Sequence, residues 1–251
     1  NRDAAVLIQH EYESTWLAEV EKQAFINKNY HIIDRFDEGV NSGSNVRRMT
    51  DGGHLWFDLT PLDGLELTLG LDYMSSAHDG RSMAPGDVGL DDLLNKPFKE
   101  DMRYKNYGLF AESRYGFDNQ GSGNSSLHAG LRVDRWDSEL LIAQQGERED
   151  TLYSGYVRYE YQLDAHQYYA GFGSAQRVPD YWEIMKASAD NPAQKAFDLK
   201  AETTNQFDIG WIYQGPVEAS VSLFFGEIND YILIDSTSNT TVARNIDASL
   251  F

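Results

Sequence analysis

Apolar and polar residues alternate with a period of two along most of the chain. Within residues 107–117, one set of alternate positions is mostly apolar, and the other set carries Glu112 and Arg114. A helix does not separate residues in this way, whereas a β-strand places successive side chains on opposite faces. The same alternation recurs at residues 127–133, 153–163, 207–213 and 221–225. The pattern predicts an all-β protein whose strands have one apolar and one polar face.

The connections between the predicted strands alternate in length. Short turns are expected at residues 61–64, 118–123, 164–166 and 215–216. Long polar segments are expected at residues 74–103, 137–151 and 177–201. The main strands run for about ten residues or more, against about five to six in ordinary sheets. A soluble β-sandwich also has apolar and polar strand faces, but this combination of strand length and unequal connections favours an antiparallel transmembrane β-barrel.

We predict about ten or eleven strands in a single domain that covers residues 1–251. The predicted strands are residues 16–33, 54–60, 65–73, 104–117, 126–136, 152–163, 167–176, 202–214 and 218–228, with two weaker strands at 231–234 and 242–248. Aromatic residues near the strand ends suit a girdle at the membrane interfaces, although aromatic residues are common in any strand. The girdle candidates are Trp16, Trp56, Tyr73, Tyr104, Trp136, Tyr153, Tyr168, Trp211 and Tyr213.

Composition narrows the function classes. Acidic residues outnumber basic residues, and the formal net charge is −19. No nucleic-acid partner is expected, because phosphate binding requires clustered Lys and Arg. The chain contains no cysteine, which excludes disulfides, thiolate catalysis and cysteine-based zinc sites. No run of about 18 apolar residues occurs, so no transmembrane helix is expected.

The sequence contains no motif that indicates catalysis. Neither the G-x-S-x-G turn of serine hydrolases nor the H-E-x-x-H helix of zinc peptidases is present. We therefore expect that the protein is not an enzyme. Arg177 and Glu183 flank the point where the chain leaves the predicted sheet, and their opposite charges predict a local ion pair or loop anchor.

Three segments in the last third of the chain carry a family resemblance. Residues 171–183 form an aromatic–glycine strand that runs into Arg-x-Pro and then an aromatic and acidic stretch. Residues 202–210 contain Glu-Thr…Asn-Gln-Phe-Asp-Ile-Gly, and residues 222–232 contain Ser-Leu-Phe-Phe…Ile-Asn-Asp-Tyr-Ile. In this order, the three segments resemble TonB-dependent outer-membrane receptors. The exact sequence of residues 175–183 and 243–248 resembles the copper receptor branch of that family.

The resemblance implies a fold, a location and a set of partners. It implies a barrel of about 22 strands with a plug inside, of which this chain supplies about half and no plug domain. It implies the bacterial outer membrane, with lipid around the barrel and with TonB contacting an N-terminal region outside this chain. The implied function is copper uptake, with copper as the transported ligand and no resident cofactor. Two alternatives stay open: a receptor for a siderophore or other metal chelate, and a non-transport outer-membrane β-barrel or adhesin.

One candidate metal site lies in a short stretch of sequence. Met74, His78 and Met83 place two thioethers and one imidazole within ten residues. Copper(I) prefers these soft ligands. The stretch is predicted at a strand end that enters a long loop, which suits metal capture. The alternative is a methionine in the lipid-facing band and a solvated loop histidine.

A second candidate is His31. The resemblance implies a His-x-Met pair on a barrel strand that faces ligands on the plug, and His31 matches the histidine of that pair. Ile33 stands where the methionine is expected, which puts the family's ligand set in doubt for this chain. The alternative is a polar histidine that faces the lumen. Met49 and His54 form a third, looser pair.

Overall fold

The computed structural model describes residues 2–12, 14, 16–36, 39–118, 123–142, 146–236 and 241–250. Within these residues, twelve strands lie in one sheet. The strands are β1 (Arg2–Glu11), β2 (Leu17–Asp34), β3 (Gly43–Leu62), β4 (Leu65–Ser82), β5 (Lys99–Asp118), β6 (Asn124–Leu140), β7 (Gly146–Leu163), β8 (His166–Arg177), β9 (Ala187–Ser188), β10 (Glu202–Gln214), β11 (Glu218–Asp235) and β12 (Val242–Leu250). Two short helices are α1 (Gly89–Leu94) and α2 (Tyr181–Ile184). The all-β prediction is confirmed.

Strands that follow one another in the chain are also neighbours in the sheet. The order is β1-β2-β3-β4-β5-β6-β7-β8-β10-β11-β12-β9, and each long strand pairs antiparallel with the next. Short turns allow this order, because antiparallel neighbours need only a tight hairpin. Asp164 and Ala165 alone connect β7 to β8, and Asp164 adopts the positive φ of 51° that such turns favour. The exception is β9, which pairs parallel with β12.

Several strands are longer than the sequence pattern predicts. β3 begins at Gly43 rather than at residue 54, and β4 continues to Ser82 rather than ending at residue 73. β5 begins at Lys99, so the connection after β4 is shorter than the predicted segment 74–103. The predicted loop at residues 137–151 is likewise mostly strand, because β6 and β7 both extend into it. The added residues are largely polar, and backbone pairing continues there without the apolar alternation that marks the rest of each strand.

Two further differences concern the ends of the sheet. The strand β1 was not predicted, because Val6, Leu7 and Ile8 are consecutive apolar residues that show no alternation, and all three are exposed. Residues 231–234 are not a separate strand, because β11 continues through them. The register shifts between Ile228 and Tyr231, and such a bulge changes which residues share a face. The shift broke the alternation and made one strand look like two.

The two faces of the sheet differ in chemistry. On the outer face, large apolar side chains are exposed, including Leu109 at 63%, Leu131 at 74% and Leu223 at 65%. The inner face carries charged side chains such as Asp72 and Arg132 and contains the cavities described below. An apolar band of this extent is typical of a surface that contacts lipid or a partner. The prediction of one apolar and one polar strand face is confirmed.

Only some of the residues predicted for the aromatic girdle lie on the outer face. Tyr153 and Tyr168 are exposed on the outer face, as a girdle requires. Trp56, Tyr104 and Trp136 instead lie on the inner face. Their assignment to the girdle was wrong, because closeness to a strand end does not determine which face a residue occupies. The face depends on the residue's parity along the strand.

A buried cluster closes the end of the sheet where the long connections lie. Its members are Met102, Tyr104, Leu140, Tyr181 and Ile184. Two of them belong to α2, so the cluster holds the connection between β8 and β10 against the inner face. Arg148 of β7 fixes the other end of this connection by donating to the carbonyl oxygens of Phe197 and Leu199 at 3.0 and 2.6 Å. Neither helix in the described residues has the length and apolar character needed to cross a membrane.

Candidate functional site

Two adjoining cavities lie on the inner face. The mouth chamber is next to the buried cluster and has a volume of about 440 Å³. The lower groove, further along the strands, has a volume of about 600 Å³. Met74, Asn106 and Arg132 line both cavities. Other residues of the mouth chamber are Arg48, Thr50, Ser76, Tyr104, Trp136 and Asp180. Other residues of the lower groove are Phe25, His54, Trp56, Phe110, Glu112 and Tyr156.

Arg132 of β6 links three strands at the boundary between the two cavities. Its guanidinium donates to both carboxylate oxygens of Asp72 in β4, at 2.7 and 2.9 Å. It also donates to both oxygens of Asp134, at 2.7 and 2.6 Å, and Asn106 of β5 donates to Asp134 at 3.1 Å. Gly108 makes this crossing of β5 possible, because a Cβ there would overlap Arg132 and Asp72. The network fixes the spacing of β4, β5 and β6.

Arg177 anchors the connection that borders the mouth chamber. Its guanidinium donates to both oxygens of Glu183 at 2.9 Å and to Glu202 at 2.7 Å. Glu202 is buried and also accepts a hydrogen bond from the backbone N–H of Ile232 at 2.6 Å. Glu183 and Asp180 form a reciprocal capping box at the start of α2. The predicted ion pair between Arg177 and Glu183 is confirmed, and it joins the helix to the sheet.

His78 and Tyr181 form a second attachment at the same end. Nδ1 of His78 lies 2.7 Å from one carboxylate oxygen of Asp101, and the Tyr181 hydroxyl donates to the other at 2.8 Å. The two rings stack with their centroids 3.5 Å apart, and His78 is only 4% exposed. Burial, followed by the Asp101 carboxylate, raises the pKa of Tyr181 above its usual value. The phenol therefore stays protonated and remains a donor at neutral pH.

The structure separates the four predicted metal ligands. Met74 and His78 lie within β4 rather than at its end, because the strand continues to Ser82; their predicted placement at a strand end was wrong. Four residues of strand span about 13 Å, whereas a metal–ligand bond is about 2–2.3 Å long. Met83 lies just after β4 and donates its backbone N–H to the carbonyl oxygen of Gly43 at 3.0 Å. His31 is exposed in β2, two strands away from β4.

These positions leave Met74 as the predicted ligand that faces both cavities. The looser pair of Met49 and His54 is not formed, because Met49 is exposed on the outer face while His54 lies in the lower groove. His54 instead stacks on Trp56 and lies 2.8 Å from Glu21. Across the described ranges, no group of three or more His, Cys, Asp or Glu side chains is arranged to hold a metal ion.

Sequence reasoning missed Arg48 and Tyr104, which line the mouth chamber. Tyr104 was assigned to the girdle, and no motif marked Arg48. A usable signal was present for Tyr104, because the polar face of residues 107–117 extends backwards through Asn106 to Tyr104 with the same parity. The contact between Arg132 and Asp72 joins residues 60 positions apart, and the sequence gives no local sign of it.

Comparison with known proteins agrees with this architecture. A family model described as "TonB dependent receptor-like, beta-barrel" matches residues 1–249. The chain is similar to a solved structure of the copper transporter OprC, with 31% identity and a TM-score of 0.86, over 98% of this chain and 41% of that chain. A search of curated protein sequences gives no match.

Two further solved structures share the fold at lower identity. The FrpB iron transporter from Neisseria meningitidis has 15% identity and a TM-score of 0.70, over 97% of this chain and 38% of that chain. The Serratia marcescens hemophore receptor HasR, solved with its hemophore HasA and heme, has 16% identity and a TM-score of 0.73, over 98% and 44%. This chain therefore spans less than half the length of each of these three structures.

The family assignment rests on agreement between sequence and structure. The family model covers almost the whole chain, and the similarity to the copper transporter exceeds 30% identity over nearly all of it. The single, mostly antiparallel sheet, with its apolar outer face and polar inner face, has the architecture of part of such a barrel. The chain belongs to the TonB-dependent receptor β-barrel family, whose members are receptors and transporters rather than enzymes.

Proposed function

We propose that this chain forms about half of the barrel of an outer-membrane importer and that the cargo is copper. The observation that carries the proposal is the 31% identity to a copper transporter over 98% of the chain. Similarity to the iron and hemophore receptors falls to 15% and 16% identity. The resemblance of residues 175–183 and 243–248 to the copper receptor branch points in the same direction.

The two faces of the sheet have different roles in such a transporter. The outer face contacts lipid through exposed leucine and aromatic side chains. The inner face lines the route of the cargo, and the Arg132 network keeps β4, β5 and β6 in register beside it. Arg177 and Tyr181 hold the connection after β8 at the mouth of the route. No chemical bond of the cargo changes, and TonB supplies the energy.

Within this proposal, Met74 is the barrel's contribution to copper capture. Its thioether is a soft ligand, and it lies where the mouth chamber and the lower groove meet. His31, His78 and Met83 are too far from Met74 to complete one site with it, so the remaining ligands come from another part of the protein. His31 stays a second candidate because its side chain is exposed on the inner face.

The test is a competition titration with copper(I) on the full-length, detergent-folded protein that contains this chain. We expect tight binding by the wild type and a loss of about tenfold or more for Met74→Ala, as one ligand is removed. Met49→Ala is the matched control, because its thioether is exposed on the outer face. His31→Ala and Met83→Ala are measured beside it, and His78→Ala tests the buried imidazole.

The outcomes separate three conclusions. Weakening by Met74→Ala but not by Met49→Ala supports a copper importer with a barrel ligand. Tight binding that no variant weakens places every ligand outside these positions and refutes the role of Met74. Binding no tighter than that of an unrelated barrel refutes the copper proposal.

Uptake of a metal chelate is the second candidate function. The mouth chamber, at about 440 Å³, is much larger than a bare ion requires and fits a small organic ligand. In the titration above, a protein that ignores copper(I) but binds a metal chelate favours this alternative.

A further inference from the structure

The connection between β8 and β10 adds a short strand at the far end of the sheet. This strand, β9, lies parallel to β12, with Ala187 opposite Val242. The backbone N–H of Ala187 donates to the carbonyl oxygen of Thr241 at 3.3 Å. The backbone N–H of Ala189 donates to the carbonyl oxygen of Ala243 at the same distance. Because β11 pairs with the other side of β12, β9 lies on the side of β12 that faces away from the rest of the sheet.

β9 occupies only one end of this side of β12. Backbone groups that face one side of a strand recur at every second residue. The carbonyl oxygen of Ala243 faces β9, so the next groups on the same side belong to Asn245 and Asp247. Within the described ranges, no strand pairs with this side of residues 244–250. Since a closed barrel leaves no strand edge free in lipid, we expect a further strand of the full-length protein to pair there.

The other side of β9 is also covered. Ala187 forms a bridge with Lys195, and the backbone N–H of Ser188 donates to the carbonyl oxygen of Gln194 at 2.9 Å. β9 is therefore a strand between two neighbours, β12 and residues 194–195. These residues stand where a further barrel strand would otherwise run past the end of β12.

The chain after β9 is held against the same strands. The side chain of Asn245 in β12 accepts from the backbone N–H of Lys200 at 2.9 Å. It donates to the carbonyl oxygens of Lys200 and Asp230 at 3.2 and 2.6 Å. A buried cluster lies in the same region and consists of Ala196, Leu199, Ile232 and Ala243. Because Arg177 and Tyr181 fix α2 ahead of β9, the connection is attached on both sides of β9.

We infer that β9 is a permanent part of the barrel wall in the full-length protein, and that the further strand pairs with β12 only from Asn245 onwards. Neighbouring strands lie about 4.8 Å apart, so β9 and a barrel strand cannot share the edge of β12 at residues 241–243. The connection at residues 178–201 is then a fixed strap, joined to β4 and β5 at one end and to β12 at the other. The cargo passes beside this strap, which does not lift.

A permanent β9 and a displaced β9 differ in backbone hydrogen exchange. If a barrel strand takes the whole edge of β12, the N–H groups of Ala187 and Ala189 lose their acceptors and exchange like an unstructured chain. In the folded, full-length wild type, we expect both amides to exchange about tenfold or more slowly than an unstructured chain. This measurement requires no substitution, so it does not depend on how a variant folds.

Crosslinking in whole cells tests the same contact and its motion. The chain contains no cysteine, so Ala187→Cys and Val242→Cys introduce the only two thiols within it. A short bismaleimide is added to cells that produce the full-length double variant, with and without TonB, and the linked peptides are measured by mass spectrometry. Ala187→Cys with Ala248→Cys is the matched control, because six residues of strand place the second thiol about 20 Å further along β12.

We expect the pair at 187 and 242 to link about tenfold or more faster than the control pair, because thiols held in contact react at a high effective concentration. The linking rate should be the same with and without TonB. Linking at the control rate, or unprotected amides at residues 187 and 189, shows that a barrel strand has displaced β9 and overturns the inference. Linking that TonB slows shows that the strap lifts and overturns its fixed attachment. Neither measurement uses copper, so a failure of the proposed cargo does not change these outcomes.

Discussion

Gly108 is the position at which the smallest change tests the Arg132 network. A Cβ there overlaps Nη2 of Arg132 and Oδ1 of Asp72, so Gly108→Ala forces the paired groups apart. Hydrogen bonds to charged groups contribute about 1.5–3 kcal/mol each. The Arg132 side chain is 34% exposed, and solvent reduces that contribution. We expect a net loss of about 1–3 kcal/mol in the free energy of unfolding, against the gain of about 0.5–1 kcal/mol usual for replacing a strand glycine by alanine.

The assay is chemical unfolding of the full-length protein in detergent, followed by tryptophan fluorescence. Gly173→Ala is the matched control, because its Cβ would lie 3.7 Å from the Cβ of Tyr156, an ordinary contact. A double-mutant cycle with Arg132→Met isolates the cause, since Gly108→Ala should cost less once the guanidinium is absent and no longer holds the Asp72 carboxylate in place. An equal cost of Gly108→Ala in both backgrounds would refute the reasoning, as would a cost no larger than that of Gly173→Ala.

Three further predictions concern the end of the sheet that carries the long connections. Arg177→Gln should speed proteolysis within residues 178–201 about tenfold or more, because it removes charge-assisted hydrogen bonds to Glu183 and to buried Glu202. Arg135→Gln, at an exposed arginine, is the control. A proteolysis rate no faster for Arg177→Gln than for Arg135→Gln would contradict the anchoring role of Arg177. Met102→Ala should lower the free energy of unfolding by about 2–5 kcal/mol, because Met102 is fully buried. A loss below about 1 kcal/mol in urea unfolding would show that packing in the buried cluster does not stabilise the fold. The pKa of Asp87 is lowered, first by the hydrogen bond from the backbone N–H of Ala84 and then by Lys96. The stabilisation of residues 83–98 by the Asp87 carboxylate is therefore fully present above the ordinary pKa of 3.8 and is lost as pH falls through the lowered pKa. Hydrogen exchange at Ala84, corrected for its intrinsic rate, should therefore accelerate between about pH 6 and about pH 2 in the wild type but not in Asp87→Asn.

The sequence was sufficient for the fold wherever one strand face is apolar. Residues 107–117 and 153–163 alternate because their outer side chains are apolar and their inner ones are largely polar, and both lie in strands. Residues 43–53 do not alternate, since they include Arg47, Arg48, Asp51 and three glycines. They are nevertheless part of β3, because backbone pairing with β2 and β4 on both sides holds them. Strand ends of this kind are determined by neighbours rather than by their own pattern.

The candidate site was only partly accessible from the sequence. The ion pair between Arg177 and Glu183 was predictable, because the two residues are only six positions apart and flank the point where the chain leaves the sheet. Met74 and His78 looked like a cluster because they are close in sequence, but an extended strand carries them about 13 Å apart. The pairing of Arg132 with Asp72 and the unpartnered hydroxyl of Tyr104 arise only when β3 to β6 lie side by side.

The central claim, copper import, is tested most directly by copper accumulation in cells that produce the full-length protein. Wild-type cells are compared with cells that lack the protein, cells that lack TonB and cells that carry Met74→Ala. We predict that copper accumulation depends on both the protein and TonB and falls in Met74→Ala, while a Met49→Ala control accumulates copper like the wild type. Copper accumulation that is the same with and without the protein, together with a protein-dependent uptake of an iron chelate, would contradict the account.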